Sequence, residues 1–279
     1  LELREGPRVG LIFQYSYGES ELTQSVFLTE GSRRIDFETN VDWRENAKML
    51  RTSFPVNVRT EQVHCEIQFG SLSRPTHRNT TWDFAKDEIC AHQWIDLSEP
   101  DYGVALLNDC KYGHRAMDNV LDLNLLRSSS YPDPEADRAE HAFTYSLFPH
   151  QGNHVQAEIY RRGNELNIPL RMISLSSVGN KQAGDIPLSK SFLQPEHAHV
   201  MVESVKKAEE GDEIIVRLYE TSGTHANTVI HVGFDAAEAW IADLMENIIS
   251  PIPMTDPTKI TLSFTPFEII TLRLKLLQV

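Results

Sequence analysis

The sequence predicts a mainly β protein: a large antiparallel double-sheet sandwich followed by a smaller C-terminal β domain. Three observations carry that prediction. Strand formers alternate with polar residues in short runs over the first half of the chain, turn residues fall between the runs, and the runs outnumber the strands of one immunoglobulin-size sandwich. The first four runs are residues 9–17, 22–29, 35–43 and 49–56. Tyr17-Gly18-Glu19-Ser20 and Glu30-Gly31-Ser32 separate the first three, where glycine tolerates the positive φ of a tight connection. Further strands are expected at 63–69, 92–97, 103–109, 120–126 and 141–148.

Two segments interrupt this rhythm. Residues 71–91, with Pro75, paired threonines, Trp82 and mixed charges, follow neither period 2 nor period 3.6 and read as a long loop. Loops of that length inside a compact domain usually serve a function, so a site is sought there first. Residues 128–138 carry Pro132, Pro134 and serines, read as a solvated connection, and are assigned no chemistry. A short helix is expected at 153–164, bounded by Gly152 and Gly163. Periodicity lapses over 170–194. Strands then return at 198–208, 213–220, 228–234, 260–264 and 267–274, around a helical stretch at 236–248. The expected division is a large domain over 1–195 and a small one over 196–279.

Composition bounds the partners. The 279 residues are 41% hydrophobic and 24% charged, the balance of an ordinary globular protein. With 26 basic and 40 acidic residues the formal charge is −14, which repels phosphate backbones and anionic lipid. Neither nucleic acid nor a membrane is expected as a partner. No apolar run reaches the roughly 18 residues of a bilayer span, and the N-terminus lacks the series of a signal peptide. Cys65, Cys90 and Cys110 have no CxxC spacing and read as reduced, buried thiols, which implies a cytoplasmic location. The chain opens at Leu1 and passes at once into strand-like sequence, so a natural start upstream is expected.

Catalytic motifs are absent: no GxSxG elbow, HExxH helix, P-loop or GxGxxG. His197 with His199 and His225 with His231 lack a partner at metal-ligand spacing, and read as solvated or core histidines. The residues alone reach an acidic β-sandwich protein with one suspicious loop.

At that loop the sequence becomes specific. The stretch EIQFGSLSRPTHRNTTWDFAKDEICAHQWIDLSEPDYGVALLNDCKYG, residues 66–113, resembles the post-catalytic region of the family 38 glycoside hydrolases, the α-mannosidases, particularly the cytosolic type. RIDFETNVDW, LNLLRS, HAFTYSLFPH, IIVRLYE and FTPFEIITLRL are similar in kind and order, so the resemblance covers nearly the whole chain. It implies a galactose-mutarotase-like super-sandwich for the large domain. It further implies a retaining exo-α-mannosidase, with an aspartate nucleophile and a divalent metal, zinc or another such as cobalt, that grips sugar hydroxyls. The family's nucleophile and metal ligands belong to an N-terminal barrel that nothing here matches. No catalytic residue, metal ligand or cofactor is therefore assigned to this chain, and the expected partners are that N-terminal catalytic domain and a mannose-containing saccharide. Homo-oligomers are common among the enzymes it resembles. The alternative is a free-standing carbohydrate-binding or interaction module.

In this family the large β domain lends residues to the pocket rim, and ten residues are candidates. Arg74, His77, Asn79, Trp82, Asp83 and Glu88 combine a planar aromatic surface with hydrogen-bonding groups suited to sugar hydroxyls. The other reading has Pro75, Thr76 and Trp82 fixing a crossover and Arg74 paired with Glu88. Asp109, Lys111 and Tyr112 project from a strand end, where Asn and Asp also make turns with their own backbone. Arg127, ending LNLLR, resembles a family arginine that approaches the substrate, or it caps a strand. A chain cut from its barrel is also expected to expose an apolar docking face on the sandwich.

Overall fold

The computed structural model describes residues 2–173 and 189–277. Two compact units form, one from Leu1–Gln68 with Leu72–Pro169 and the other from Phe69–Ser71 with Leu170–Val279. The sequence reading sets its boundary at 195/196, whereas the compact units divide at 169/170. Strand pairing explains the difference, because the short strand Leu193–Pro195 hydrogen-bonds into the second unit. Much of the aperiodic stretch 170–194 lies outside the described residues.

The first unit runs β1 (Glu2–Glu5), β2 (Arg8–Tyr17), β3 (Ser20–Thr29), β4 (Ile35–Asp42), β5 (Leu50–Pro55), β6 (Gln62–Ile67), β7 (Gly70–Pro75), β8 (Ile89–Cys90), β9 (Trp94–Ser98), β10 (Tyr102–Asn108), β11 (Gly113–Met117), β12 (Val120–Leu126), β13 (Glu140–Gln151) and α1 (Ile159–Asn167). Nine strands form one sheet in the order β1-β2-β3-β4-β13-β10-β9-β6-β7, and four form another in the order β5-β12-β11-β8. Alternation supplies the core between them. Val41, Ile95, Leu106 and Phe143 from the large sheet pack with Leu121, Leu123 and Leu125 from the small one. Phe37, Phe54 and Tyr145 meet at ring-centroid distances of 5.4, 5.0 and 6.2 Å and tie β4 and β13 to β5. The long loop expected at 71–91 is shorter, since β7 and β8 take its two ends.

Strands β9 and β10 are buried on both faces, because α1 lies on the side away from the small sheet. Double coverage explains why Tyr102–Asn108 reads YGVALLN, a continuous apolar run rather than an alternating one. Helix α1 begins later than the sequence suggests, after Glu158 at φ 51, and Gly163 lies inside it rather than ending it. The reason is close approach: a Cβ on Gly163 would stand 2.9 Å from Trp94 Cδ1.

The large sheet outgrows the small one. Val9, Leu11, Phe13, Tyr15 and Tyr17, every second residue of β2, are exposed together with Leu28 opposite Val9. They share a face with Leu22, which sits opposite Tyr15 and packs on the core, so this strip continues the core face beyond the edge strand β5. A cavity of about 330 Å³ lined by Tyr15, Tyr17, Leu22, Trp43, Leu50 and Leu125 runs under that edge. The apolar face expected on the sandwich is thus present.

The second unit contains β14 (Leu193–Pro195), β15 (Val200–Lys207), β16 (Ile214–Glu220), β17 (Ala226–Val232), β18 (Ala236–Ala242), β19 (Ile248–Pro251), β20 (Lys259–Phe264) and β21 (Ile269–Leu276). Sheets β14-β17-β20 and β15-β16-β21-β18-β19 enclose Val216, Leu218, Ile230, Ile260, Phe264 and Leu272. The helix expected at 236–248 is instead the β18–β19 hairpin. Strand β18 shifts register against β21 between Ala236 and Glu238 and against β19 between Ile241 and Ala242, and its buried alanines at 236, 239 and 242 imitate helical spacing. Asp243 closes the turn, its Oδ1 accepting the N–H groups of Met245 and Asn247 at 2.8 and 2.9 Å.

All three cysteines are free thiols, but only Cys65 is buried, a correction to the expectation for Cys90 and Cys110. Burial pushes the Cys65 thiol up to about 12 and, with Asp109 beside it, the Cys110 thiol up to about 11. In a mass-spectrometric labelling time course at pH 8, Cys90 is expected to react first and Cys110 slowly. Cys65 should react only after denaturation, and early labelling there would contradict this core.

Candidate functional site

Sheet register brings five of the ten candidates to one end of the sandwich. Asn108 of β10 lies opposite Tyr145, Glu140 of β13 opposite Asp42, and Asp42 opposite Glu21. The small sheet meets that end through Trp43, whose indole N–H donates to Ser128 Oγ just past β12. Here stand Glu88, Asp109, Lys111, Tyr112 and Arg127.

The turn after β10 is built by buried Asn108. Its Oδ1 accepts the N–H groups of Cys110 and Lys111 at 3.1 and 2.5 Å, and its Nδ2 donates to the His92 carbonyl at 2.8 Å. Asp109 ties the turn to β13 by accepting the Thr144 N–H at 2.8 Å. Lys111 sits over the Phe143 ring, 4.5 Å from its centroid, and Tyr112 meets His92 edge-on at 5.0 Å while remaining 61% exposed. Arg127 is exposed, and among the described residues no carboxylate lies within ion-pair distance of its guanidinium. Asp109 thus serves the turn, while Lys111, Tyr112 and Arg127 present polar groups outward from fixed backbone.

The loop candidates do not converge. Residues 76–88 run from the opposite end, where Asp118 N–H donates to the Thr76 carbonyl at 2.8 Å, to Glu88 beside Asn124. Charges fasten the loop along the small sheet: Asp87 joins Arg78 and Arg115, and Arg51 joins Glu88 and Asp122. Glu88 therefore pairs with Arg51, and the Arg74–Glu88 pair weighed from sequence does not form. The Arg74 Nε is buried without a hydrogen-bond partner. His77 and Asn79 line a cleft of about 580 Å³ at the far end with Asp118 and Asn119. Asp83 is spent locally, bonded by Thr80 Oγ1 at 2.6 Å and Lys86 Nζ at 3.1 Å, and these bonds hold its carboxyl below the usual carboxylate range. Trp82 and Phe84, 85% and 74% exposed, are the loop's open aromatic surfaces.

Two features escaped the sequence reading. The segment 128–138, to which it gave no chemistry, carries Asp137, whose carboxylate reaches back to the backbone of Arg127. The outer face of the large sheet holds a buried Asp96–His150 pair at 2.7 Å, with the His64 and His154 rings stacked at 3.9 Å. Burial and the neighbouring His64 push His154 down to about 4. Among the described residues no three His, Cys, Asp or Glu side chains are grouped to hold a metal. Among the same residues no helix is long and apolar enough to cross a membrane.

The mainly β fold is shared with solved structures. It superimposes on an α-mannosidase from Enterococcus faecalis V583 with a TM-score of 0.75 at 17% identity, covering 95% of this chain and 33% of that one. Residues 1–135 match the glycosyl hydrolases family 38 C-terminal domain, and residues 199–272 match the family's C-terminal β-sandwich domain. Alpha-mannosidase 2C1 of Mus musculus is 41% identical over 268 residues, 92% of this chain and 24% of that protein. Alpha-mannosidase G of Dictyostelium discoideum is 42% identical over 206 residues, 74% of this chain and 19% of that protein. The chain belongs to the family 38 glycosyl hydrolases, as their C-terminal region, and it spans about a quarter of the length of the curated relatives it matches.

Proposed function

We propose that this chain is the C-terminal portion of a retaining exo-α-mannosidase that removes terminal α-linked mannose from oligosaccharides or mannosylated small molecules in the cytoplasm. The upstream portion of the polypeptide carries the nucleophile and the divalent metal, zinc or a relative such as cobalt. This portion packs against it and completes the rim of the pocket. The observation that carries the reading is similarity to proteins named alpha-mannosidase over 92% of this chain but only 24% of theirs.

Two physical features support the division of labour. The uncovered strip on β2 offers the upstream portion a seat, since an apolar strip of this length gains free energy when removed from water. At the Asp42–Glu140 end of the sandwich, Arg127 and Lys111 supply donors and Tyr112 an aromatic face, groups that hold a neutral polyol without ionising it. The test compares residues 1–279 with the complete polypeptide on an aryl α-mannoside. The complete protein should turn over and the isolated chain should not. Turnover by a clean preparation of the chain, abolished by a substitution within it, would overturn the reading.

A further inference from the structure

Past the end of β12 the chain bends sharply, and the bend sets where Arg127 stands. Ser128 is buried at φ 48 and Asp137 turns at φ 63, both in the left-handed region that non-glycine residues rarely adopt. One carboxylate oxygen holds the bend: Asp137 Oδ2 accepts the N–H of Arg127 at 2.8 Å and that of Ser128 at 3.0 Å. Ser128 is locked from the other side, its Oγ accepting the Trp43 indole N–H and its carbonyl the Ala47 N–H at 3.0 Å. His141 Nε2 donates to the Asp137 carbonyl at 2.8 Å. The carboxylate is thus spent on backbone, and the guanidinium of Arg127 is left without an ion pair among the described residues.

We propose that Asp137 is a positioning residue for Arg127, holding its backbone so that the guanidinium stands at the rim of the sugar pocket. This rests on the reading of Arg127 as a rim residue. Burial opposes ionisation of Asp137, but the two N–H groups, with His141 and Lys111 nearby, hold the carboxyl below its usual range. The carboxylate is therefore charged at neutral pH, the form that accepts both bonds best.

The experiment is a double-mutant cycle in the complete enzyme, reading kcat and KM on an aryl α-mannoside for Arg127→Ala, Asp137→Ala and both together. Arg127→Ala should lower kcat/KM by about 10-fold to 100-fold, the range of a charge-assisted hydrogen bond. Asp137→Ala should lower it at least about 5-fold, and the double variant should fall within about 2-fold of Arg127→Ala alone. Asp137→Asn, which keeps an acceptor oxygen, should recover part of the loss and runs the same cycle if the alanine variant does not fold. Losses that multiply would overturn the positioning role, as would an unaffected Asp137→Ala beside an impaired Arg127→Ala. Wild-type kinetics in Arg127→Ala would overturn the rim reading itself.

Discussion

Asp96→Ala is expected to lower the unfolding free energy of the chain by about 2–3 kcal/mol, the cost of leaving a buried polar group without its partner. Asp96 is 0% exposed and His150 3%, with Oδ2 and Nε2 2.7 Å apart across the intervening strand β10. Gly103 of β10 makes the crossing possible, since a Cβ there would lie 2.4 Å from His150 Cε1. Removing the carboxylate strands the imidazole nitrogen where water does not reach, and the full desolvation penalty appears. The other Asp96 oxygen and His150 Nδ1 already lack hydrogen-bond partners, so no second bond cushions the loss. Asp96→Asn preserves an acceptor and should cost less than half as much. Urea denaturation of the purified chain checks both, and an alanine variant within about 1 kcal/mol of the parent would refute the account.

The second large effect depends on context. Leu11→Lys with Phe13→Lys should leave the melting temperature of the isolated chain almost unchanged, because both side chains already face water. In the complete polypeptide the same pair should be severe. Burying a fully exposed leucine or phenylalanine is worth about 1.5–3 kcal/mol, and Leu11 and Phe13 are 52% and 39% exposed, so about 1–3 kcal/mol of contact between the portions is lost before the new charges are counted. Limited proteolysis should then separate the two portions, and mannoside turnover should fall with it. A complete protein that tolerates both lysines, in activity and protease resistance alike, would remove β2 as the seat of the upstream portion.

Local chemistry was legible. Every second residue of β2 is apolar, β3 and β4 keep that alternation except at Gln24 and Thr39, and Gly18 and Gly31, at φ 58 and 75, turn where the sequence places turns. The errors have physical causes. Ala236, Ala239 and Ala242 mimic a helix because the strand's register shifts against both neighbours, and Gly163 was read as a terminator although it lies where helix and sheet nearly touch. The candidate site was half legible: Lys111, Tyr112 and Arg127 stand together at one end, but His77 and Asn79 lie at the other because the loop crosses the small sheet lengthwise. Asp137 was missed because its partner is Arg127's backbone, a contact no side-chain motif records.

By itself, then, the sequence determined the β class, most strand positions, the turn chemistry, the acidic charge and the family, since each is written in residues that are neighbours in the chain. The tertiary structure alone decided that the apolar side of β2 faces water, that Glu88 goes to Arg51, and that Asp137 holds Arg127. Those outcomes turn on which strands lie across which face, and that is fixed by contacts between distant residues, such as Gln24 Nε2 with the Tyr145 hydroxyl 121 positions away. Alternation says only that a strand has an apolar side, and coverage by another sheet decides whether that side is core or surface.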